Sequence, residues 1–305
     1  MRLVVVAGPT ASGKTALACD LAERLDAEIV SADSQQCYRG LDAGTAKPTA
    51  EERARAVHHL LDVAEPEDQL DAAAFVQLAD AALADLAARG KNALVVGGTG
   101  LWIRALLHGL VDAPGASPEF RAALREELAA RGPAALHARL REVDPESAER
   151  IRENDRVRIE RALEVHALSG RKLSDLHREH AFAGRRHEAL TFFLDPPREV
   201  LHGRIAARTG TLFSSGALER ETRWLLHRIE RLPAASKALK IIGYGECAEA
   251  FRSNDFAAAE ERTLARTRQY AKRQRTWFAK TAAPVAWPPD VAGLTAQARA
   301  FLAAS

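Results

Sequence analysis

Leu3-Val4-Val5-Val6-Ala7 is an unbroken apolar run, and Leu17, Ala18, Leu21 and Leu25 follow it at helical spacing. The first pattern is that of a strand buried on both faces, the second that of an amphipathic helix. The alternation continues. Residues 27–32 predict a second strand, Leu60-Leu61-Asp62-Val63 another short one, and residues 92–96 a buried central one. Phe75, Leu78, Ala82 and Leu86 predict a helix over 72–88, while Gly40, Gly44 and Pro48 mark 37–49 as a loop. From about residue 116 to 186 only helical spacing is found, carried by Phe120, Leu124, Leu128, Leu136, Leu140, Ile151, Ile159 and Leu163. Pro114-Gly115 marks the entry to this stretch and Ala183-Gly184 its exit.

A strand returns at 190–195, and Pro196-Pro197 opens a helix running through Ile205 and Arg208. Residues 209–216 predict a flexible break, 218–229 a helix, 241–245 a glycine-flanked turn, and 257–280 the last major helix. In that helix Leu264, Ala271 and Phe278 form an apolar stripe with Tyr270 and Trp277 beside it. Strands alternating with helices predict an α/β fold: a parallel-sheet core flanked by helices, of the phosphate-loop NTPase kind, with an inserted all-helical subdomain. The expected organisation is 1–115 for the first part of the core, 116–186 for the insertion, and 187–305 for the second part with the basic C-terminal helix.

Composition narrows the class. The 305 residues are 47% apolar and 28% charged, as in soluble globular proteins, and the low aromatic content of 6% with abundant alanine favours helix. No apolar run approaches the ~20 residues of a membrane helix. Met1-Arg2-Leu3 runs straight into the first strand, so no signal peptide is expected. Cys19, Cys37 and Cys247 lack metal-ligand spacing and are odd in number, which predicts a reducing cytoplasm. The net charge of +2 does not announce a nucleic-acid binder, but Arg262, Arg266, Arg268, Lys272, Arg273, Arg275 and Lys280 make the last helix strongly basic. A near-neutral protein with such a patch can hold a polyanion locally.

The candidate chemistry begins at Gly8-Pro9-Thr10-Ala11-Ser12-Gly13-Lys14-Thr15, which matches G-x-x-x-x-G-K-[ST] between a strand and a helix. Glycines let the loop turn its N–H groups toward phosphate oxygens, with the helix N-terminus behind them. Lys14 adds a full charge and Thr15 a hydroxyl suited to Mg²⁺ shared with the phosphates. A di- or triphosphate ligand follows. The second strand delivers Asp33-Ser34-Gln35-Gln36 to the same sheet edge, where open α/β sheets bind ligands. The strand at 92–96 ends in Gly97-Gly98-Thr99-Gly100 rather than in the acidic residue usual in nucleoside triphosphatases.

The order and length of these motifs resemble the tRNA dimethylallyltransferases. The resemblance rests on residues 8–15, on 33–38 with Gly40 and 44–48, and on 97–102. It continues through Asn154-Asp155 with Arg158 and 161–165, Gly243-Tyr244, and 267–274 with Thr276-Trp277. It implies transfer of a dimethylallyl group from dimethylallyl diphosphate to N6 of the adenosine on the 3′ side of a tRNA anticodon, with Mg²⁺. It also implies Asp33 as the base that takes the amine proton and Thr99 as donor to the bridging oxygen, with Arg208 sharing the leaving-group charge. Contacts to the tRNA anticodon stem-loop would come from Asp33, Ser34, Gln35, Gln36 and Thr99. In the insertion they would come from Arg121 and from Val157, Arg158, Ile159, Glu160 and Arg161, which clasp the stem. Lys240, Gly243, Tyr244, Lys272, Arg273 and Gln274 would hold loop nucleotides and phosphates.

Departures exist: Gly245 and Ala279 stand where the family usually has basic residues, and 209–223 matches loosely. A small-molecule or nucleotide kinase would use the same loop for ATP, with Asp33 as base for a hydroxyl. It would leave the basic helix with Tyr270 and Trp277 unused. An adenylate isopentenyltransferase acting on AMP or ATP would leave the helical insertion unused, and a non-catalytic RNA-binding module would not need the intact phosphate loop. A monomer and a cytoplasmic location are the expectation.

Overall fold

A computed structural model describes residues 1–180 and 184–304; the expected exit at Ala183 lies outside them. The chain divides into two compact units, one formed by 1–107 and 186–305 and the other by 108–185. The division thus falls at His108, earlier than the turn at Pro114-Gly115.

In chain order the elements begin with β1 (Arg2–Ala7), α1 (Lys14–Leu25), β2 (Ala27–Ser31), α2 (Ala50–Arg55) and β3 (His58–His59). Next come α3 (Ala72–Ala88), β4 (Asn92–Gly97), α4 (Gly100–His108), α5 (Pro118–Val143), α6 (Pro145–Arg150), α7 (Arg156–Ser169) and α8 (Leu173–His180). The chain then forms β5 (Glu188–Phe193), α9 (Arg198–Ser214), α10 (Ala217–Arg231) and a 3-10 helix (Pro233–Lys240). It ends with α11 (Tyr244–Ser253), α12 (Phe256–Phe278) and α13 (Val291–Ala303).

The five strands form one parallel sheet in the order β3-β2-β4-β1-β5. Side chains alternate across its two faces, as the two-residue strand period requires. Leu3, Val5 and Ala7 join Phe75, Leu86, Trp102 and Leu106 on one face, where Phe75 and Trp102 stack with ring centroids 4.5 Å apart. Val4 and Val6 join Leu17, Leu21, Leu294 and Ala298 on the other.

Three elements depart from the expectation. The third strand lies at His58–His59, not at 60–63, because Leu60 and Asp62 adopt φ of 65° and 56°, which cannot extend a strand. The break expected over 209–216 is helical as far as Ser214: Leu212 is buried, Thr209 donates to the Ile205 carbonyl at 2.8 Å, and only Gly216 (φ 66°) ends the run. The helix at 257–280 is not the last, since α13 packs Leu294 and Ala298 into the same cluster as α1.

The second unit has its own core of Leu124, Leu136, Leu140, Ile159, Leu163 and Leu176. Its long helix α5 bends at Gly132-Pro133, where Gly132 has φ 77°. Buried Asp144 caps α6 through the Ser147 N–H at 3.1 Å and accepts from the Ser174 N–H at 3.0 Å, fastening α8 to the same corner. Among the described residues no helix is long and apolar enough to cross a membrane.

Candidate active site

The site lies at the carboxyl end of the sheet in the first unit, where β1, β2 and β4 each end in a segment that cannot continue as strand. After β1 the chain turns through Ala11 (φ 63°) and Gly13 (φ 88°), and Gly13 caps α1 without a side-chain hydrogen bond. The first N–H groups of α1 therefore face outward unclaimed by a cap, and an anion is their natural partner. Gly8 is required because a Cβ there would lie 2.8 Å from the Leu194 carbonyl. Lys14 folds back so that Nζ donates to the Pro9 carbonyl at 3.3 Å. Burial lowers its pKa, with Asp33 opposing the shift. An ammonium held with so little solvation gains most from an arriving polyphosphate.

Beyond β2, Asp33 accepts from the Gln35 N–H at 3.0 Å, a local turn that fixes the carboxylate. Beyond β4, Thr99 Oγ1 accepts from the Ser34 N–H at 3.0 Å and lies 3.2 Å from Ser34 Oγ. The ends of β2 and β4 are thus tied through Thr99. From α9, Arg208 donates to Thr10 Oγ1 at 3.0 Å and to the Gly44 carbonyl at 3.4 Å. Burial lowers its pKa, and Asp33 works against that shift. Thr10, Asp33, Gln35, Gly44, Arg208 and Tyr270 line one cavity. Lys14, Thr15, Ser31, Asp33, Gln36 and His58 line a second recess that meets it at Asp33.

Sequence reasoning did not anticipate what α12 does here. Gln274 is buried; it accepts from the Thr10 N–H at 2.9 Å and donates to the Gly98 carbonyl at 3.0 Å. Gly98 and Gly100 leave room for Gln274 and Trp277, whose side chains would lie 2.1 and 2.0 Å from an added Cβ. Tyr270 reaches Thr99, and burial raises its pKa. Arg204, also unanticipated, donates to the Ser12 carbonyl at 3.2 Å from α9. The signal was present as an unbroken Thr267–Gln274 motif, but side chains that face inward cannot be told from outward ones when so many are polar.

The remaining expected RNA-contact residues divide. Lys272 and Arg273 are exposed and, with Thr276, Trp277 and Lys280, border a shallow basic depression. Lys240 is exposed. Gly243 and Tyr244 are buried: the Tyr244 hydroxyl donates to Glu221 at 2.5 Å, and Glu221 also accepts from the Ala43 N–H at 2.9 Å. Burial and the neighbouring carboxylate raise the Tyr244 pKa, so it anchors the 37–49 loop as a neutral phenol. In the second unit, Ile159 is core, while Val157 and Arg158 are exposed. Arg121 and Arg161 both engage buried Glu164, at 2.8 and 2.9 Å, and Glu160 lies 3.3 Å from Arg121.

Among the described residues no group of three or more His, Cys, Asp or Glu could hold a metal by itself. The three cysteines are buried, and burial pushes the Cys37 thiol up to about 12.

A family model described as IPP transferase matches residues 36–281. The chain belongs to the IPP transferase family. It is 57% identical over 281 residues to the tRNA dimethylallyltransferase of Anaeromyxobacter dehalogenans (strain 2CP-C), spanning 92% of each. The crystal structure of the full-length tRNA isopentenylpyrophosphate transferase from Bacillus halodurans resembles it with a TM-score of 0.70 at 32% identity, over 99% of this chain and 96% of that one. A eukaryotic dimethylallyltransferase captured acting on tRNA resembles it with a TM-score of 0.80 at 25% identity, over 98% of this chain and 77% of that one. These matches fit the transferase reading and not the kinase or adenylate-transferase alternatives.

Proposed function

We propose that the protein transfers a dimethylallyl group from dimethylallyl diphosphate to N6 of the adenosine 3′-adjacent to the anticodon of tRNA, releasing diphosphate. The observation that supports this reading is that Asp33 and Arg208 line one cavity with Thr10 of the phosphate loop, with Thr99 bonded to Ser34 next to Asp33, in a chain of this family.

The N6 amine is a weak nucleophile because its lone pair is shared with the purine ring. Asp33 accepts its proton as the N–C bond forms and the C–O bond to diphosphate breaks. Thr99 Oγ1 accepts from the Ser34 N–H and donates to Ser34 Oγ, and turning that proton from the Ser34 hydroxyl to the bridging oxygen stabilises the charge that develops there. Lys14, Arg208 and the α1 N–H groups take up the charge on the departing diphosphate. Arg208 and Lys14 are poorly solvated, so their charges act at short range in a low dielectric.

Thr15 and the recess it shares with Ser31 and Asp33 present oxygen donors, the type Mg²⁺ takes. Because no protein-only cage exists among the described residues, most of the coordination would come from diphosphate and water. When bound, the cation neutralises the leaving group.

The tRNA side of the reading rests on half-buried Ser34 and Gln35 at the cavity and on exposed groups, Lys272 and Arg273 on α12 and Arg158 with Val157 on α7. A reactive base must leave its stack to reach such a pocket. A cytoplasmic setting agrees with three buried free thiols.

The test is one incubation of the protein with Mg²⁺, dimethylallyl diphosphate and unmodified tRNA, with AMP in a parallel reaction. Nucleoside digestion and mass spectrometry should find N6-isopentenyladenosine from tRNA and none from AMP. Product from AMP alone, or none from either, would remove the reading.

A further inference from the structure

His58 lies in the recess beneath the phosphate loop with Lys14, Thr15, Ser31, Asp33 and Gln36, yet nothing in the mechanism above uses it. Its position is fixed by the sheet. Ile29 pairs with His58, and the Ile29 N–H donates to the Val57 carbonyl at 2.8 Å, so His58 sits beside the strand that delivers Ser31 and Asp33.

Its Nδ1 is 2.8 Å from the Ala56 carbonyl. A carbonyl oxygen only accepts, so Nδ1 carries the proton and Nε2 presents a lone pair. Burial lowers the ring's pKa and keeps it neutral. Nε2 is buried and finds no donor in the protein. The adjacent His59 is different, since its Nε2 meets Glu28 at 2.7 Å. Lys14, which lines the recess, is turned to the Pro9 carbonyl, and Arg53, whose charge His58 feels, donates to the Pro48 carbonyl and to Asp62. A buried acceptor without a partner is costly, at about 1–3 kcal/mol, and such atoms are commonly answered by water.

We propose that His58 Nε2 holds a water of the coordination shell of the Mg²⁺ that binds with diphosphate at Thr15. This rests on the metal and diphosphate of the transferase reading. Mg²⁺ dehydrates reluctantly and prefers oxygen, so the imidazole meets the metal's water rather than the metal. A metal-bound water is a strong donor, and a neutral buried imidazole lone pair is its complement. The Ala56 carbonyl sets the tautomer that makes this possible.

The experiment uses the full chain and Mn²⁺ as a spectroscopic substitute, titrated with saturating inorganic diphosphate and followed by electron paramagnetic resonance. His58→Asn keeps a donor near the Ala56 carbonyl but has nothing at the Nε2 position. His58→Gln places a carbonyl oxygen close to that position. Mn²⁺ affinity should fall roughly 10-fold or more in His58→Asn and largely return in His58→Gln. Diphosphate binding without metal should be equal in all three proteins. Unchanged Mn²⁺ affinity in His58→Asn overturns the inference. So does a His58→Gln protein as weak as His58→Asn, or a parallel loss of metal-free diphosphate binding, which would make His58 a packing residue only. Wild-type protein that binds no Mn²⁺ with diphosphate would overturn the metal–diphosphate reading itself.

Discussion

Gln274 accepts a hydrogen bond from the Thr10 N–H at 2.9 Å, so the basic helix α12 holds the phosphate loop in place. The other end of the same amide donates to the Gly98 carbonyl, joining the loop to the turn that carries Thr99. Lys272 and Arg273, two and one residues earlier, are exposed on that helix. One helix thus presents charge outward and organises the phosphate loop and the Gly98 turn inward.

Gln274→Ala leaves the Thr10 N–H and the Gly98 carbonyl buried without partners, at roughly 1–3 kcal/mol for each. Binding of inorganic diphosphate should weaken about 10-fold, with tRNA affinity within about 2-fold of wild type. Calorimetry with each ligand separately checks it, and loss of tRNA binding alone would place Gln274 at the RNA surface instead.

Asp33→Ala should bind diphosphate and tRNA nearly normally and lose single-turnover transfer by about 100- to 10,000-fold, the usual contribution of a general base. A near-normal rate would exclude Asp33 as the proton acceptor.

Reversing charge at Lys272 and Arg273 should weaken tRNA binding and flatten its dependence on salt, by about 0.7–0.9 in log–log slope for each phosphate no longer neutralised. Filter binding across salt concentrations measures the slope. An unchanged slope would mean that this face of α12 does not meet the RNA.

Glu164 governs the second unit. Burial opposes its charge, but Arg121, the Ser117 N–H and Arg161 outweigh that and hold its pKa at about 2. Because the folded value lies below the ordinary 4.5, the contribution is complete above that ordinary value and disappears as pH falls toward 2. Its size is at most roughly 3 kcal/mol. Glu164→Gln should therefore be less stable than wild type at pH 7, and the gap should close as acid is added. Paired denaturant titrations from neutral pH down to the folded pKa would show it, and a gap independent of pH would remove the assignment.

The sequence alone determined the parallel core, since β1, β2, β4 and β5 each read as apolar runs and α1 and α3 as clean helical stripes. It also determined the phosphate loop, because a local motif between a strand and a helix needs no partner from elsewhere in the chain. Asp33 and Thr99 were legible for a related reason: both sit at strand ends, and a parallel sheet gathers those ends on one edge. What only the tertiary structure decided was the direction of polar side chains on elements that arrive from far along the chain. Gln274 and Lys272 share one helix, and spacing could not say which would be buried against a loop 264 residues away. That Tyr244 is packed with its hydroxyl on Glu221 and its ring against Gly44 was likewise invisible in the sequence. His58 was a bare His-His pair until β3 docked on β2 and left it, with an unanswered Nε2, in the lining of the recess that Thr15 and Asp33 share. Hydrophobic periodicity encodes which face of an element is buried. A buried polar atom instead takes its meaning from the partner it meets, and only the folded chain supplies that partner.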